Sequence, residues 1–383
     1  MVTRRALLAT ATTVAYVRPA WAADLDVAVV GAGVAGFAAA HTLIGARKNV
    51  VVLEARERTG GRVFTDPGLG LPFDQGAPTR AEPTGMSLMI DGKELSHADY
   101  QRFAKTSDDI AHLIKALHKE APTFDPRLVV HPKDALERLA FEVQLRRTPF
   151  PPFSRLPVAE GKAPARINTR VIRIDSTEPL VRLVTLGGEV QAKVVIVTVP
   201  TGVLAAGGIS FAPPLRPDRR AAIASLPMAQ ADKVCVTFSR RVIDAPDDTR
   251  VIAWTRQQTV TEVLLRPGGK EAAILTYRGE EARQLEANGA SAATAGAVTA
   301  LADLFGKEVR TGFLRGASTR WGLDPYARGA WADGPMEARR VLASPHYERV
   351  FFAGEATDGA GGVFGASASG LRAAKEALAA LKG

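Results

Sequence analysis

Asp24–Thr65 reads DLDVAVVGAGVAGFAAAHTLIGARKNVVVLEARERTGGRVFT. Asp26–Val30 reads as a short apolar strand. Gly31, Gly33 and Gly36 follow in the spacing G-x-G-x-x-G. Val34–Gly45 reads as a helix, and Asn49–Leu53 as a second apolar strand that runs into Glu54. Together these make a complete βαβ unit. Its glycines have separate tasks: a tight turn, close approach of backbone to a pyrophosphate, and close packing of helix on strand. The free N–H groups at the helix start, with their partial positive charge, suit phosphates. Glu54 lies 23 residues after Gly31, at the strand end, where a carboxylate can accept ribose hydroxyls. Glycine-rich turns alone are common. Strand, turn, helix, strand and acid in that order are what predict dinucleotide binding.

The whole chain has 383 residues, room for about two or three domains. Hydrophobic residues make up 46% and charged residues 23%, as in ordinary soluble globular proteins. The net charge is +9. Arg4, Arg5 and Arg18 supply three of those charges within an acid-free start, leaving +6 spread over the remainder. No Lys/Arg block and no nucleic-acid module stands out, so the excess reads as solubility with a mild preference for anions. Cys235 is the only cysteine, which excludes an intrachain disulfide and argues against a cysteine-based metal site. The six histidines show no ligand spacing.

The first 22 residues carry the pattern of a secretory signal. Thr3-Arg4-Arg5 precedes an apolar run through Ala15, and Ala20-Trp21-Ala22 supplies the small-residue end. Paired arginines make it look like a twin-arginine signal, so the mature chain is expected in the periplasm or outside the cell, exported folded. The run is too short to span a bilayer, and no other stretch approaches ~20 apolar residues. No stable membrane insertion is expected.

Further along, Ser96–Lys119 has apolar residues at helical spacing, and Ala135–Leu145 reads as a shorter helix. Thr148–Pro157 is proline-rich and reads as a linker. Ile167–Ile174 reads as a strand. Val181–Leu186 and Glu189–Val199 read as a hairpin turned by Gly187-Gly188. Pro217–Ser225 reads as a short helix. Ala231–Phe238, Val251–Trp254, Glu262–Leu265 and Glu271–Tyr277 read as strands. Glu280–Phe305 reads as an alanine-rich helix interrupted near Gly289. A strand at Arg349–Phe352 leads through glycine-rich sequence into a last helix at about Phe364–Leu381.

Glu54-Ala-Arg56-Glu-Arg-Thr-Gly-Gly61-Arg62 resembles the second FAD-contacting motif of the flavin-containing amine oxidase superfamily, which includes monoamine and polyamine oxidases. In that family the glycines and arginine run along the pyrophosphate and ribityl chain. Phe73-Asp74-Gln75-Gly76-Ala77 resembles the segment beside the flavin ring. Asn168–Ile174 resembles the strand whose Val171 backbone would pair with adenine. VVIVTVP, ending in Pro200, resembles the buried strand that ends beside the flavin. Gly354-Glu355 resembles the pair on the pyrophosphate and ribityl chain. Val363 would follow at the N-terminus of the last helix, aimed at the flavin C2 carbonyl. The resemblance implies an α/β fold: a discontinuous Rossmann-type FAD-binding domain with an inserted α+β substrate domain. The implied division is signal peptide 1–22, FAD-binding parts 23–80, 161–215 and 320–383, and substrate parts 81–160 and 216–319.

The same resemblance implies oxidation of an amine to an imine by hydride transfer to flavin N5, with O2 reduced to hydrogen peroxide. Lys233 matches the lysine linked through water to N5. The residues alone leave two readings of it open: its amine snorkels past the strand end, or polar partners hold it. Trp321 and Trp331 match the segment that brings aromatic rings to the flavin face, with Trp331 one wall of an amine-binding cage. The other wall falls at Gly362. Ala330 stands where monoamine oxidases carry the flavin-bonded cysteine, so non-covalent FAD is expected. Two alternatives stay open. Arg80, one residue from the place where L-amino-acid oxidases grip a carboxylate, suggests amino-acid oxidation. A shortened substrate domain suggests a flavin-binding protein without catalysis. Nothing in the sequence fixes the oligomeric state.

Overall fold

The computed structural model describes residues 25–77, 88–90, 93–95, 165–254 and 260–382. The signal-like start, the helices expected at 96–119 and 135–145, the linker at 148–157 and Arg80 lie outside the described residues.

The opening βαβ unit forms as read. Strand β1 (Leu25–Val30), helix α1 (Val34–Gly45) and strand β2 (Val50–Leu53) follow in order. Strands β3 (Val171–Asp175), β4 (Val181–Thr185) and β5 (Gly188–Val197) join the same sheet. β1 lies between β5 and β2, parallel to both. A late strand near the chain end, Val350–Phe352, pairs parallel with β5. β3, β4 and β5 form an antiparallel meander.

Why the strands read as unbroken apolar runs is visible in their two faces. Val27, Val29, Val50, Val52, Val194 and Ile196 pack under α1 and the last helix. Ala28, Val30, Val51, Leu53, Val195 and Val197 pack on the opposite side, with Ile223, Leu342 and Phe352. Each fully buried valine or leucine contributes about 1.5–3 kcal/mol.

Two readings shift. The strand expected over Ile167–Ile174 splits into Ala165–Arg166, which pairs with β2, and β3. Between them Asn168 adopts φ 53°, a left-handed turn that asparagine tolerates. The hairpin expected at Gly187-Gly188 turns one residue earlier, because Gly188 already pairs with Thr185.

A second sheet occupies the middle of the chain. After helix α2 (Pro217–Ala224) come β6 (Ala231–Phe238), β7 (Thr249–Trp254), β8 (Val260–Leu265) and β9 (Ala272–Arg278). Helices α3 (Gly279–Asn288) and α4 (Ala290–Phe305) break at Gly289, whose φ is 84°. Strand β10 (Phe313–Ser318) completes an antiparallel order β7-β8-β9-β6-β10. Alternation on β6 divides its residues. Val234, Val236 and Phe238 pack with Leu285, Ala297 and Leu301 of the two helices. Cys235 faces the other way, against Leu71 and Phe73 of the first domain. Burial pushes its thiol up to about 12.

The chain ends in β11 (Trp331–Ala332), α5 (Met336–Ala343), β12 (Val350–Phe352) and α6 (Gly362–Ala380). Gly370 of α6 sits so close to the Ala35 carbonyl that a side chain there would collide with backbone. Among the described residues no helix is long and apolar enough to cross a membrane.

α2 is pinned to α5 by a fully buried arginine. Arg219 donates to the carbonyl of Leu342 at 2.8 Å, to that of Pro345 at 3.2 Å, and to the carbonyl and hydroxyl of Ser344. Its guanidinium lies 4.4 Å from the Phe352 ring centroid. Desolvation lowers its pKa to about 10, still charged at neutrality. Arg219→Met removes the donors and strands these acceptors at the end of α5. The variant is expected to lose about 3 kcal/mol in urea or guanidinium unfolding. A loss below about 0.5 kcal/mol would show that water replaces the guanidinium without cost.

Candidate active site

The glycines of the first turn separate into two kinds. Gly31 has φ 107°, and a side chain there would meet the Thr198 hydroxyl at 2.5 Å. A side chain at Gly36 would run into the Gly31 carbonyl. Both keep the turn tight. Gly33, which begins α1, has nothing within 4 Å of where its side chain would be. Gly61, at φ 58°, packs back on Gly33 at 3.3 Å from the position of an added Cβ. Gly354 has φ 128° and lies beside Thr198. The Gly31 turn and Gly354 therefore flank Thr198 at the carboxyl ends of β1, β5 and β12, where open α/β sheets bind ligands.

No side chain caps α1 or α6 at its N-terminus. Gly361 and Gly362, at φ 60° and 51°, stand in open space at the start of α6, with half-buried Val363 next. Two helix starts thus keep their backbone donors available for anionic groups.

Glu54 is buried. Its carboxylate accepts from the Ala32 N–H and the Arg56 N–H, both at 2.8 Å, one on each oxygen. A second lone pair on each oxygen suits a ribose diol. Arg56 donates to Asp324 at 2.8 Å and lies 5.3 Å from the Tyr326 ring centroid. Val171 is buried at the start of β3, just before a register irregularity. Pro200 precedes the short helix Thr201–Ala205. Arg62 donates to the Ala330 carbonyl at 2.8 Å and to Glu355 at 3.0 Å. Glu355 also accepts from the Ala332 N–H at 2.9 Å. Sequence reasoning had set both Arg62 and Glu355 beside the cofactor chain; the structure in addition pairs them with one another. The paired helix starts, the glycine backbone with space beside it, and the ribose-type carboxylate fit a flavin adenine dinucleotide.

Lys233 lies on the face of β6 that looks toward the first domain. Its amine donates to the carbonyls of Asp74 at 3.0 Å and Gly76 at 2.7 Å. The carbonyl between them, of Gln75, accepts from the Trp321 indole at 3.0 Å. Trp321 is buried, with its ring 3.5 Å from where a Gly76 side chain would begin. Lys233, Trp321 and the 74–76 segment therefore form one cluster. Trp331 is separate. It pairs with Ala229 and is half-buried, with the Arg278 guanidinium 5.4 Å from its ring centroid. Arg278 in turn pairs with Glu262 at 3.5 Å. Gly362 is exposed on α6.

Sequence reasoning missed Asp232. Its Oδ1 accepts from the Thr319 hydroxyl at 2.7 Å and from the Trp321 N–H at 2.9 Å. Burial, with Glu286 beside it, pushes its pKa up to about 7. A polar pair opening an otherwise apolar strand was the available signal. Alternation sends Asp232 and Lys233 to opposite faces. Asp324 and Tyr326 were missed too, since only folding brings them to Arg56.

The two kinds of glycine make different predictions. Gly33→Ala fills open space and is expected to leave the melting temperature of the apoprotein nearly unchanged while lowering the 450 to 280 nm absorbance ratio of purified protein. Gly36→Ala forces the Gly31 carbonyl aside and should cost about 2 kcal/mol or more in unfolding experiments. Equal effects on stability from the two substitutions would contradict this division.

Comparison with known proteins fits this geometry. Residues 140–378 match the family model of the flavin containing amine oxidoreductases, and residues 29–87 match that of an NAD(P)-binding Rossmann-like domain. Polyamine oxidase 4 of Oryza sativa subsp. japonica is 25% identical over 92% of this chain and 88% of its own. Putrescine oxidase of Kocuria rosea is 41% identical over 83 residues, 21% of this chain and 17% of its own. A solved triple mutant of putrescine oxidase shares the fold at TM-score 0.66 and 19% identity, covering 93% of this chain and 99% of that one. With 140–378 alone spanning more than half its length, the chain belongs to the flavin containing amine oxidoreductases and is an FAD-dependent oxidoreductase acting on amines.

Proposed function

We propose that the protein oxidises a primary or secondary amine, of the di- or polyamine class named for its relatives, with dioxygen as acceptor. Bound FAD would supply the hydride acceptor at N5 and return the two electrons to dioxygen as hydrogen peroxide; the amine would leave as an imine that water hydrolyses to a carbonyl and an amine. Ala330 offers no thiol for a bond to the flavin, which supports non-covalent binding.

The observation that carries the reading is the Lys233 amine, held by the Asp74 and Gly76 carbonyls where the second sheet meets the cofactor domain. Carbonyl acceptors stabilise the ammonium and fix its direction. In that state it can orient a water and favour the negative charge that develops on reducing dioxygen. Trp331 supports the amine preference, since an aromatic face attracts cations.

Lys233→Met keeps the length of the side chain without its charge. It is expected to retain flavin and slow reoxidation of reduced enzyme by dioxygen about 100-fold in stopped flow. Reoxidation at the parent rate would remove Lys233 from the oxygen step.

We also propose export of the folded protein through the twin-arginine route, on the strength of Arg4-Arg5 and the apolar run after them. Replacing both arginines by lysine should leave the protein, still yellow, in the cytoplasmic fraction of a bacterial host. Undiminished export of the double variant would rule that route out.

A further inference from the structure

Asp232 and Glu286 have no part in the reaction as described above, yet together they accept four hydrogen bonds from the turn that carries Trp321. Asp232 accepts from Thr319 and Trp321. Glu286, on α3, accepts from the Gly322 N–H at 2.6 Å and the Leu323 N–H at 3.4 Å. Thr319 closes the circuit: its hydroxyl accepts from the backbone N–H of Lys233 at 2.8 Å, and its own N–H donates to the Lys233 carbonyl at 2.9 Å. The ring of contacts then runs from Lys233 through the Asp74 and Gly76 carbonyls, along the chain to Gln75, across to Trp321 and back to Asp232.

Both carboxyl groups are more than nine-tenths buried. Asp232 Oδ2 accepts no hydrogen bond from any described residue. Glu286 lies beside Asp232, since the two carboxylates accept from the successive N–H groups of Trp321 and Gly322. Two ionised carboxylates cannot bond to one another, and in contact away from water they repel strongly. A proton on one makes it a donor to the other and satisfies the orphaned oxygen.

We infer that Asp232 and Glu286 share a single proton, and that the singly protonated pair is a positioning device that fixes the Thr319–Leu323 turn and, through it, Trp321 and the Lys233 amine. The effect on turnover rests on the reading of Lys233 given above; the shared proton does not. Losing the proton puts a second buried negative charge on the pair, and the turn loosens.

Other groups stand around the pair among the described residues. From β9, Tyr277 stands directly opposite Asp232 in register, its hydroxyl pushed up to about 12 by burial and so neutral. From the turn, Arg320 donates to the Glu286 carbonyl at 3.5 Å. Gln230 lies beside Gly322 and is uncharged. On β6 itself, Lys233 points to the opposite face. From α3, Glu286 is the partner described.

The linkage has a definite sign. Asp232 is raised from 3.8 to about 7 in the folded chain. The stability it contributes is complete below about pH 4 and is lost as pH rises through about 7. Asp232→Asn keeps the Oδ1 acceptor and replaces the shared proton by a permanent amide donor. Glu286→Gln does the same from the other side, which guards against one variant failing to fold.

The test measures melting temperature of the apoprotein and holoenzyme from pH 4.5 to 8.5, alongside kcat and KM for an amine. The parent should lose several degrees relative to both amide variants across that range. Its kcat should carry an alkaline limb of about tenfold per pH unit that both variants lack. A parent and variants with parallel melting profiles would overturn the shared proton. A melting difference without any change in the kcat profile would overturn the positioning role. Lys233→Met separates the two readings: if it leaves the oxygen step intact while the melting difference stands, the reading of Lys233 fails and the shared proton does not.

Discussion

The Lys233 amine, donating to the carbonyls of Asp74 and Gly76, ties the five-stranded antiparallel sheet to the segment that follows the opening βαβ unit. A half-buried ammonium needs such acceptors, because leaving it without them in a protein interior is costly. Each hydrogen bond to a charged group is worth about 1.5–3 kcal/mol. The same contact fixes the segment that resembles the flavin-side loop of the family. Trp321 then fills the space behind that segment and bonds to the carbonyl in its middle.

Strand alternation underlies this arrangement. On β6, even-numbered residues face the alanine-rich helices and odd-numbered residues face the first domain. Lys233 and Asp232 are neighbours in sequence but serve opposite sides of one sheet. A slip of one residue in the pairing of β6 with β9 would exchange their environments, setting a lysine against Glu286 and an aspartate against two carbonyls. The apolar pattern of Val234, Val236 and Phe238 prevents that slip, so ordinary core packing sets the register of the chemistry.

The nucleotide cradle is built by a different economy. Close packing at Gly36 and Gly370 allows helices α1 and α6 to approach their neighbours through backbone. That closeness brings two uncapped helix starts to the same sheet edge. Arg62 and Glu355, contributed from opposite ends of the chain, bond to each other and to the backbone around Ala330 and Ala332. The carboxylate thus orients an arginine.

Local sequence was enough for the opening βαβ unit, since its glycines, its apolar strands and Glu54 act within about thirty residues of one another. It was also enough for β6 and for the break at Gly289, where alternation and a left-handed glycine speak locally. The irregularity at Asn168 was not legible, because asparagine tolerates several backbone states and pairing with β2 selects one. Nor could spacing reveal that Asp232 meets Glu286, that Arg56 meets Asp324, or that Arg278 lies over Trp331. Those encounters join residues far apart along the chain, and their energy comes from burial that exists only once both sheets have assembled. Sequence thus determined the family and the cofactor turn, while tertiary structure decided which charges stand in each other's field.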